Sequence, residues 1–358
     1  MDAPAALALL KQYGSTPDSF LTLGAFERFT TNGIAGYIAV RRTRRLVLCI
    51  SDPVCDPKDR LRLVHALRLD ASGKKQRLAF LSTSKAVRDD LELMDFGSIK
   101  TGDEAVFDLA TYSFATPERR EVRQSANKAE REGVTIRAAR SSDRPHIETL
   151  IREWISTRKS EGFSLMLGLD PDLFEEEKRV FVAEKDSIVG FLSCTPIYAQ
   201  NGWYFEDIIR SARAPRGVNH LLIREAVQVL LDEGYCMATL GAAPLGRLRE
   251  GEAHERRLLN RTLEFAYEHF NAFYNFKGLY DFKSSFAPTT WEPQYLCFYP
   301  RRLTPTTLIS IVDANIPGGI PRAVRKRFSD ALSSVPTRAS RTITNVSRRA
   351  SRAVRRKR

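Results

Sequence analysis

Apolar and polar positions along the chain alternate in short runs that predict strands, and these runs are separated by amphipathic stretches that predict helices. The predicted strands are residues 36–40, 45–50, 77–81, 104–109, 134–137, 179–183, 188–195, 203–209, 236–241 and 294–298. The predicted helices are residues 6–10, 20–26, 58–69, 85–94, 116–132, 143–159, 218–233 and 258–276. Residues 51–57 are expected to end the second strand, since they include two prolines. Strands that alternate with helices indicate an α/β protein.

The predicted elements of residues 134–298 follow the order β-α-β-β-β-α-β-α-β, which resembles one GNAT-like (acyl-CoA N-acyltransferase-like) domain. The first half is a looser version of the same order. We therefore expect an α/β fold of tandem GNAT-like domains, with mixed sheets flanked by helices. The expected boundaries are an N-terminal domain at 1–115, a basic connecting helix at 116–133, a catalytic domain at 134–300 and a basic tail at 301–358.

Length and composition agree with a soluble protein of two domains. The chain has 358 residues, of which 43% are hydrophobic and 28% charged. No window reaches the roughly 18 uncharged apolar residues that a membrane span requires. We expect no signal peptide, because the first residues lack a basic region. Five cysteines without CxxC spacing favour reduced thiols in the cytoplasm over a structural zinc site.

Charge is concentrated in the tail. The chain carries a net charge of +13, and residues 322–358 contain thirteen Lys or Arg and one acid, so the globule is nearly neutral. Val324, Phe328, Leu332 and Val335 recur at helical spacing among these cations. Three interpretations stay open, which are a disordered solvated tail, a basic amphipathic segment on anionic lipid, and a tRNA-binding extension. The helix at 116–132 is also basic, as either a solvated face or a surface for a polyanion such as RNA.

The run of residues 202–210 is the first candidate for a site. It reads as an apolar strand, yet it places Asp207 and Arg210 near its end, and burying either charge alone is costly. An ion pair at a sheet edge would explain both residues. A site that holds an ammonium with Asp207 and a phosphate or carboxylate with Arg210 would also explain them.

Several motifs together resemble a known family. The second half contains, in order, Glu161-Gly162-Phe163-Ser164, Phe205-Glu206-Asp207-Ile208-Ile209-Arg210, Leu240-Gly241-Ala242-Ala243-Pro244-Leu245, Phe273-Tyr274-Asn275-Phe276-Lys277-Gly278-Leu279 and Tyr280-Asp281-Phe282-Lys283-Ser284-Ser285-Phe286-Ala287-Pro288, followed by Trp291. The first half adds Asp52-Pro53-Val54 and Lys100-Thr101-Gly102-Asp103-Glu104. This series resembles the catalytic domain of the aminoacyl-phosphatidylglycerol synthases, the multiple peptide resistance factor family, over about residues 20–300.

The resemblance implies a transferase that moves an aminoacyl group from aminoacyl-tRNA to a lipid hydroxyl such as that of phosphatidylglycerol. Exchange of one ester for another needs no cofactor or metal, but it needs alignment, oxyanion stabilisation and proton transfer. The transmembrane part that precedes this domain in many members is not found here. We therefore expect a stand-alone cytoplasmic form that reaches an anionic membrane surface by peripheral attachment. Sterols or small metabolites stay open as acceptors, and the oligomeric state is not predicted.

The resemblance also implies roles for individual residues. Asp207 would hold the donor's α-ammonium, and Arg210 would reach a phosphate or the transition-state oxygen. Lys283 is flanked by Phe282 and Phe286, so it lies either in a pocket or along the core as a snorkelling lysine. Substrate-binding candidates are Gly241, Pro244 and Asn275 from the motifs, and Glu268 (with His269) for side-chain recognition or proton transfer.

The loop at residues 213–220 bears on whether the donor is acetyl-CoA or aminoacyl-tRNA. A GNAT enzyme that uses acetyl-CoA needs small residues before a helix, so that backbone N–H groups can cradle the pyrophosphate. At residues 213–220 only Gly217 fits that pattern, and Val218-Asn219 replaces the small residue. This lowers the expectation of a CoA-dependent N-acyltransferase. A non-catalytic protein that binds RNA or membrane is the other alternative.

Overall fold

The apolar runs form one continuous mixed sheet in the computed structural model, which describes residues 1–156, 175–244 and 276–304, together with residues 307, 310 and 311. The strands are β1 (Glu27–Phe29), β2 (Gly36–Arg42), β3 (Leu46–Cys55), β4 (Arg77–Thr83), β5 (Gly97–Asp108), β6 (Thr135–Ala138), β7 (Arg179–Lys185), β8 (Ser187–Ile197), β9 (Gly202–Arg210), β10 (Met237–Pro244) and β11 (Thr290–Tyr299). Their spatial order is β1-β2-β3-β4-β11-β5-β10-β9-β8-β7-β6.

Helices cover both faces of this sheet. They are α1 (Ala3–Tyr13), α2 (Arg60–Gly73), α3 (Lys85–Leu93), α4 (Arg120–Arg131), α5 (Arg144–Ser156), α6 (Val218–Asp232) and α7 (Phe276–Ser285). Short 3-10 turns lie at Pro17–Leu23, Pro57–Asp59, Pro117–Arg119, Ser141–Asp143, Glu175–Glu177 and Tyr198–Gln200. Side chains at the N-cap positions stabilise the starts of two of the helices. Asp2 caps α1 by accepting from the N–H of Ala5, and Ser84 caps α3 by accepting from that of Val87.

One strand of the second half of the chain lies among the strands of the first half. β11, which comes last along the chain, pairs antiparallel with both β4 and β5. β5 in turn pairs with β10 of the second half. The predicted catalytic domain at 134–300 therefore contributes its last strand to the first half of the sheet. The domain boundaries stay a prediction. The segment at residues 116–133 contains the helix α4 and contributes no strand to the sheet.

Each half has its own apolar core. In the first half, α2 and α3 pack on one face of the sheet, and α1 and the Pro17–Leu23 turn pack on the other. In the second half, α4 and α6 cover one face, and α5 covers the other. Most of the buried positions follow the predicted runs, because alternate residues of a strand face the same helix layer.

Several elements differ from the prediction. The helix predicted at residues 20–26 is a 3-10 turn at Pro17–Leu23, and the strand β1 follows it. The second strand does not end at Ser51. It continues to Cys55, since Ser51 adopts a left-handed φ of 63° and the register with β2 shifts around it, which lets the strand resume. Residues 276–285 form a helix that the pattern did not predict. The helix predicted at 258–276 lies outside the described residues except for its last position.

The basic helix is confirmed as α4, and part of its charge serves the fold. Val122, Ala126 and Ala129 are buried against α6. Arg123 donates to the carbonyl oxygens of Phe114 and Thr116, so its guanidinium is engaged within the protein. Exposed cations on this helix include Arg120, Lys128 and Arg131. Both interpretations of that remaining face stay open, and the tail at 312–358 lies outside the described residues.

None of the helices in the described part of the chain is both long enough and apolar enough to cross a membrane.

Candidate functional site

The strands β9 and β10 run parallel and then separate. Their pairing covers Met237–Thr239 against Gly202–Tyr204 and stops there. Beyond this point β10 continues along β5, and β9 continues along β8. The separation opens the middle of the sheet, where backbone and side-chain groups of both strands become available to other elements. Open α/β sheets place ligands at such openings.

A bulge in β10 shapes one side of the opening. The register of β10 on β5 shifts between Thr239 and Ala242, and Gly241 adopts a left-handed φ of 69°. The hydroxyl of Thr239 holds the bulge, because it accepts from the N–H of Gly241 and donates to the carbonyl oxygen of Ala105, both at 2.9 Å. A Cβ at position 241 would lie 2.5 Å from the ring of Tyr204, so only glycine fits.

The bulge directs two consecutive carbonyls at Lys283 of α7. The Nζ atom of Lys283 donates to the carbonyl oxygens of Gly241, at 3.1 Å, and Ala242, at 2.6 Å. The residue is 7% exposed, and burial lowers the pKa of Lys283 to about 7, although the carboxylates of Glu104 and Asp18 oppose that shift. At neutral pH this amine is therefore divided between its charged and uncharged forms.

The end of α7 is anchored to the segment before α4. The hydroxyl of Tyr112 donates to the carbonyl oxygen of Phe286 at 2.6 Å. The guanidinium of Arg119 donates to the same oxygen at 3.2 Å and to that of Ala287 at 2.8 Å. The accepting carbonyls belong to the two residues that directly follow α7. They fix the helix turn that carries Lys283.

A second bulge, in β9, brings two carboxylates to the other side of the opening. Ser193 pairs with Asp207 and Cys194 pairs with Phe205, so Glu206 is the extra residue. A bulge of this kind turns two neighbouring side chains to similar directions. Asp207 is 8% exposed. Burial raises the pKa of both carboxyl groups, and the charge of Asp207 raises that of Glu206 further, while Lys178 opposes both shifts.

Further charged groups complete the cluster. Glu104 of β5 is buried and accepts from the side-chain amide of Gln294 at 2.8 Å. Burial raises the pKa of Glu104 to about 7. The Nζ atom of Lys178 lies 4.0 Å from an Oε atom of Glu206, and Asp18 lies on the Pro17–Leu23 turn. We call Asp18, Glu104, Lys178, Glu206, Asp207 and Lys283 the charged cluster.

Tyr204 lies among the acids of this cluster. Burial raises the pKa of its hydroxyl well above the usual value, and the carboxylates of Asp18, Glu206, Asp207 and Glu104 add to that shift. The phenol therefore stays protonated, and it can donate a hydrogen bond at neutral pH. Its ring also packs beside Gly241, which links the two sides of the opening.

The structure brings together some of the predicted site residues. Asp207, Lys283 and Gly241 border the same opening. Arg210 lies at the exposed end of β9, where its guanidinium donates to the carbonyl oxygens of Ser211 and Ala214, both at 3.5 Å. Pro244 is the last residue of β10, paired with Gly102. Glu268 and Asn275 lie outside the described residues, and the roles of all seven stay predictions.

Sequence reasoning did not single out Glu206, Glu104, Tyr204, Lys178 or Asp18. Glu104 carried a usable signal, because it is a charged residue that begins the apolar run of residues 104–109. Glu206 stands beside Asp207 in a quoted motif, but alternation in a regular strand would send neighbours to opposite faces. Asp18 carried no signal, since its place depends on how the Pro17–Leu23 turn packs on the sheet.

The loop before α6 is closed by another helix. Gly217 precedes α6 with a φ of 93°, and a Cβ there would lie 1.9 Å from the carbonyl oxygen of Ser125 on α4. His220, in the first turn of α6, stacks on Phe286 with ring centroids 5.2 Å apart. The start of α6 is thus packed against α4 and the end of α7.

This geometry agrees with known proteins. The fold class is confirmed as tandem GNAT-like α/β, with a large mixed sheet flanked by helices. The C-terminal domain of a proposed lysylphosphatidylglycerol synthetase from Agrobacterium fabrum superposes with a TM-score of 0.73 at 26% identity, over 89% of this chain and 98% of that one. L-PGS from Bacillus licheniformis also gives a TM-score of 0.73, at 22% identity, over 88% of this chain and 98% of that one.

The sequence match identifies the family. Residues 7–298 match the family model described as phosphatidylglycerol lysyltransferase, C-terminal, and the chain belongs to this family. A relative from Nocardia farcinica, the lysylphosphatidylglycerol biosynthesis bifunctional protein LysX, is 28% identical over 264 residues. That alignment covers 70% of this chain and 22% of the relative. The chain spans between 22% and 36% of the length of these curated relatives.

Proposed function

We propose that the protein is an aminoacyltransferase that moves an aminoacyl group from aminoacyl-tRNA to a hydroxyl of phosphatidylglycerol at a membrane surface. One observation carries the proposal. The opening between β9 and β10 is bordered by Lys283, with a pKa of about 7, on the side of β10, and by the carboxyl groups of Glu206 and Asp207 on the side of β9. The names of the relatives make lysyl the first aminoacyl group to test.

The carboxylate pair suits the amino group of the donor. Glu206 Oε2 is buried, and no hydrogen-bond donor reaches it from the described residues. A buried acceptor without a donor is costly, and an ammonium group would supply the missing hydrogen bond. Asp207, next to it on the same side of the bulge, would share that ammonium. Binding then requires that the pair carry at least one negative charge.

Lys283 suits proton transfer. An uncharged amine has two N–H groups and one lone pair. Its two N–H groups are directed to the carbonyl oxygens of Gly241 and Ala242, so the lone pair is left to accept a proton. The acceptor hydroxyl would lose its proton to Lys283 as its oxygen attacks the ester carbonyl. When the bond from that carbon to the ribose oxygen breaks, the ammonium of Lys283 would return the proton to the ribose oxygen.

The Tyr204 hydroxyl would assist at the oxyanion. It stays protonated and lies beside Gly241, on the edge of the same opening. A fixed donor aimed at the tetrahedral oxygen stabilises the charge that develops there. The sum of these steps exchanges one ester for another, so it balances without an external energy source.

The closed loop at Gly217 favours a tRNA-borne donor over CoA. A pyrophosphate needs free backbone N–H groups and close approach at a helix start. The carbonyl of Ser125 faces Gly217 at that place and would repel a phosphate. A CoA-dependent N-acyltransferase is therefore the weaker candidate.

The test incubates the full chain with aminoacyl-tRNAs carrying radiolabelled amino acids and with phosphatidylglycerol vesicles. We expect label in the organic phase, and we expect Asp207→Asn to reduce kcat/KM by about 100-fold, since charge-assisted hydrogen bonds are worth about 1.5–3 kcal/mol each. Asp186→Asn makes the same chemical change at an exposed turn and should leave the rate unchanged. Label only in a small polar product would show that the acceptor is a small metabolite and not phosphatidylglycerol. Turnover of acyl-CoA without tRNA would refute the proposal.

A further inference from the structure

One end of the first half of the sheet gathers exposed cations. The turn between β2 and β3, the start of β4 and the end of β11 meet there, because Leu46 pairs with Arg77 and Leu78 pairs with Tyr299. The connection from α2 to β4 reaches the same end. Six cations are exposed on these segments, namely Arg44, Arg45, Lys74, Lys75, Arg301 and Arg302. We call this set of six cations the cationic end.

Two leucines project from the same end. Leu69, in the last turns of α2, is 60% exposed, and Leu93, the last residue of α3, is 81% exposed. The two helix ends lie side by side, since the guanidinium of Arg68 donates to the carbonyl oxygen of Met94 at 3.0 Å. A groove of about 670 Å³ is lined by α2, by the end of α3 and by the loop before β2, and its apolar lining residues include Leu61, Ile34 and Leu93. A contiguous exposed apolar surface, as opposed to a single exposed leucine, is typical of a contact site.

The cations exceed the acids at this end. Asp70 bridges Lys74 and Arg42, Asp95 lies 3.9 Å from Arg301, and Glu27 bridges Arg42. Among the described residues, Arg44, Arg45, Lys75 and Arg302 have no ion-pair partner. The field at this end is therefore positive, and it suits an anionic partner.

We propose that the cationic end, with Leu69 and Leu93, is the surface by which this protein docks on an anionic lipid bilayer. The inference rests on the proposed function, and it names the surface that would bring the enzyme to its acceptor lipid. Cations around a few projecting apolar side chains are the pattern that binds anionic head groups and inserts into the interface. RNA offers phosphates to the cations but no apolar layer to the leucines, so the leucines favour the bilayer.

The experiment measures co-sedimentation of the full chain with vesicles of phosphatidylglycerol and phosphatidylcholine at physiological salt. We expect the pair Leu69→Ala and Leu93→Ala to lower the partition coefficient by at least about 10-fold, because each substitution removes apolar carbons that would insert into the bilayer. The triple variant Arg44→Gln, Arg45→Gln, Lys75→Gln should lower it by at least about 10-fold as well. All five side chains are exposed, so the fold should be unaffected.

Control variants carry the same kinds of substitution at other places on the surface. Ile155→Ala removes another exposed apolar side chain, and Arg120→Gln, Lys128→Gln, Arg131→Gln removes three cations from α4. Both controls should bind vesicles as the unaltered chain does. Unchanged vesicle binding in the leucine pair would overturn the proposal. A fall in tRNA affinity for the triple variant, with unchanged vesicle binding, would overturn it too and assign this end to RNA.

A second assay keeps this inference distinct from the proposed function. Transfer to monomeric short-chain phosphatidylglycerol needs the charged cluster but no bilayer. Under the proposal, the leucine pair loses transfer on vesicles and keeps it on the monomeric lipid. Equal loss on both would contradict a docking role. If the unaltered chain transferred to neither lipid yet bound vesicles through these residues, the function would fail and the docking surface would stand.

Discussion

Lys283 shows how one residue acquires a chemical role from its surroundings. Its pKa is lowered to about 7 because the residue is buried. Its Nζ atom also donates hydrogen bonds to two backbone carbonyls, which fix its position. The neighbouring Glu104 favours the charged form, so the lysine is not simply neutral. A lysine that changes charge near neutral pH can both take and return a proton.

This predicts the pH dependence of transfer. Lys283 must be uncharged to accept the hydroxyl proton, so kcat/KM should rise with pH through about 7 and then level off. Lys283→Arg keeps hydrogen-bond donors but does not deprotonate, so we expect it to lose about 100-fold or more across the whole range. Rates measured between pH 5.5 and 9 test this. A wild-type profile that is flat through pH 7 would remove Lys283 from proton transfer.

The same group predicts a change in stability. The pKa of Lys283 is near the ordinary value of 10.5 when the chain is unfolded and about 7 when it is folded. Between these values the unfolded chain binds more protons, so the free energy of unfolding gains a contribution that rises with pH. Lys283→Met should lack that rise. Denaturant unfolding of both proteins at pH 7 and pH 9.5 gives the change in the free energy of unfolding between these pH values. An equal change in the two proteins would contradict the lowered pKa.

At the scale of elements, the two bulges create the site. The bulge in β10 aims two carbonyls at Lys283, and the bulge in β9 sets Glu206 and Asp207 side by side. Without them, regular alternation would send Glu206 away from Asp207. Gly241 and Thr239 hold the first bulge, so the backbone is prepared before any substrate binds.

Gly241→Ala should therefore disturb both the fold and the activity. An alanine at a φ of 69° is strained, and its Cβ would collide with Tyr204 at 2.5 Å. We expect a loss of about 2 kcal/mol or more in the free energy of unfolding, with reduced transfer.

Gly234→Ala is the matched control for this substitution. Its φ of 77° imposes similar strain, but nothing lies within 4 Å of the added Cβ. It should cost about 1 kcal/mol and leave transfer intact. Equal losses in the two variants, measured by denaturant unfolding, would show that the packing of Tyr204 on Gly241 does not matter.

At the scale of the whole molecule, the position of β11 among the strands of the first half joins the two halves. Leu296, Cys297 and Phe298 of β11 are buried in the cores of the first half. The first half therefore lacks a central strand if it is made alone, and both β4 and β5 would expose unpaired edges.

We expect residues 1–115 alone not to fold cooperatively. Thermal unfolding followed by far-UV circular dichroism should show no sharp transition for this fragment, whereas the full chain should show one. A cooperative transition together with dispersed amide signals in NMR would contradict this. It would mean that the predicted N-terminal domain is independent of β11.

The candidate site was partly predictable. Asp207 stood out because a charge within an apolar strand needs a partner, and Lys283 stood out between two phenylalanines. Glu104 gave a weaker signal of the same kind. Arg210, predicted alongside Asp207, lies at the exposed end of β9 instead. The sequence alone could not place Glu206 or Asp18, since their positions depend on a bulge and on a turn from the opposite end of the chain.

The sequence by itself determined the α/β class, most strands and helices, and the family-like motifs, because these depend on local periodicity and residue order. Only the tertiary structure decided that β11 lies between β4 and β5, that β9 and β10 separate after three residue pairs, and that Lys283 is buried at that opening. Such features depend on pairing between residues distant along the chain. Local patterns hold no record of that pairing, and the pKa values of the charged cluster follow from it.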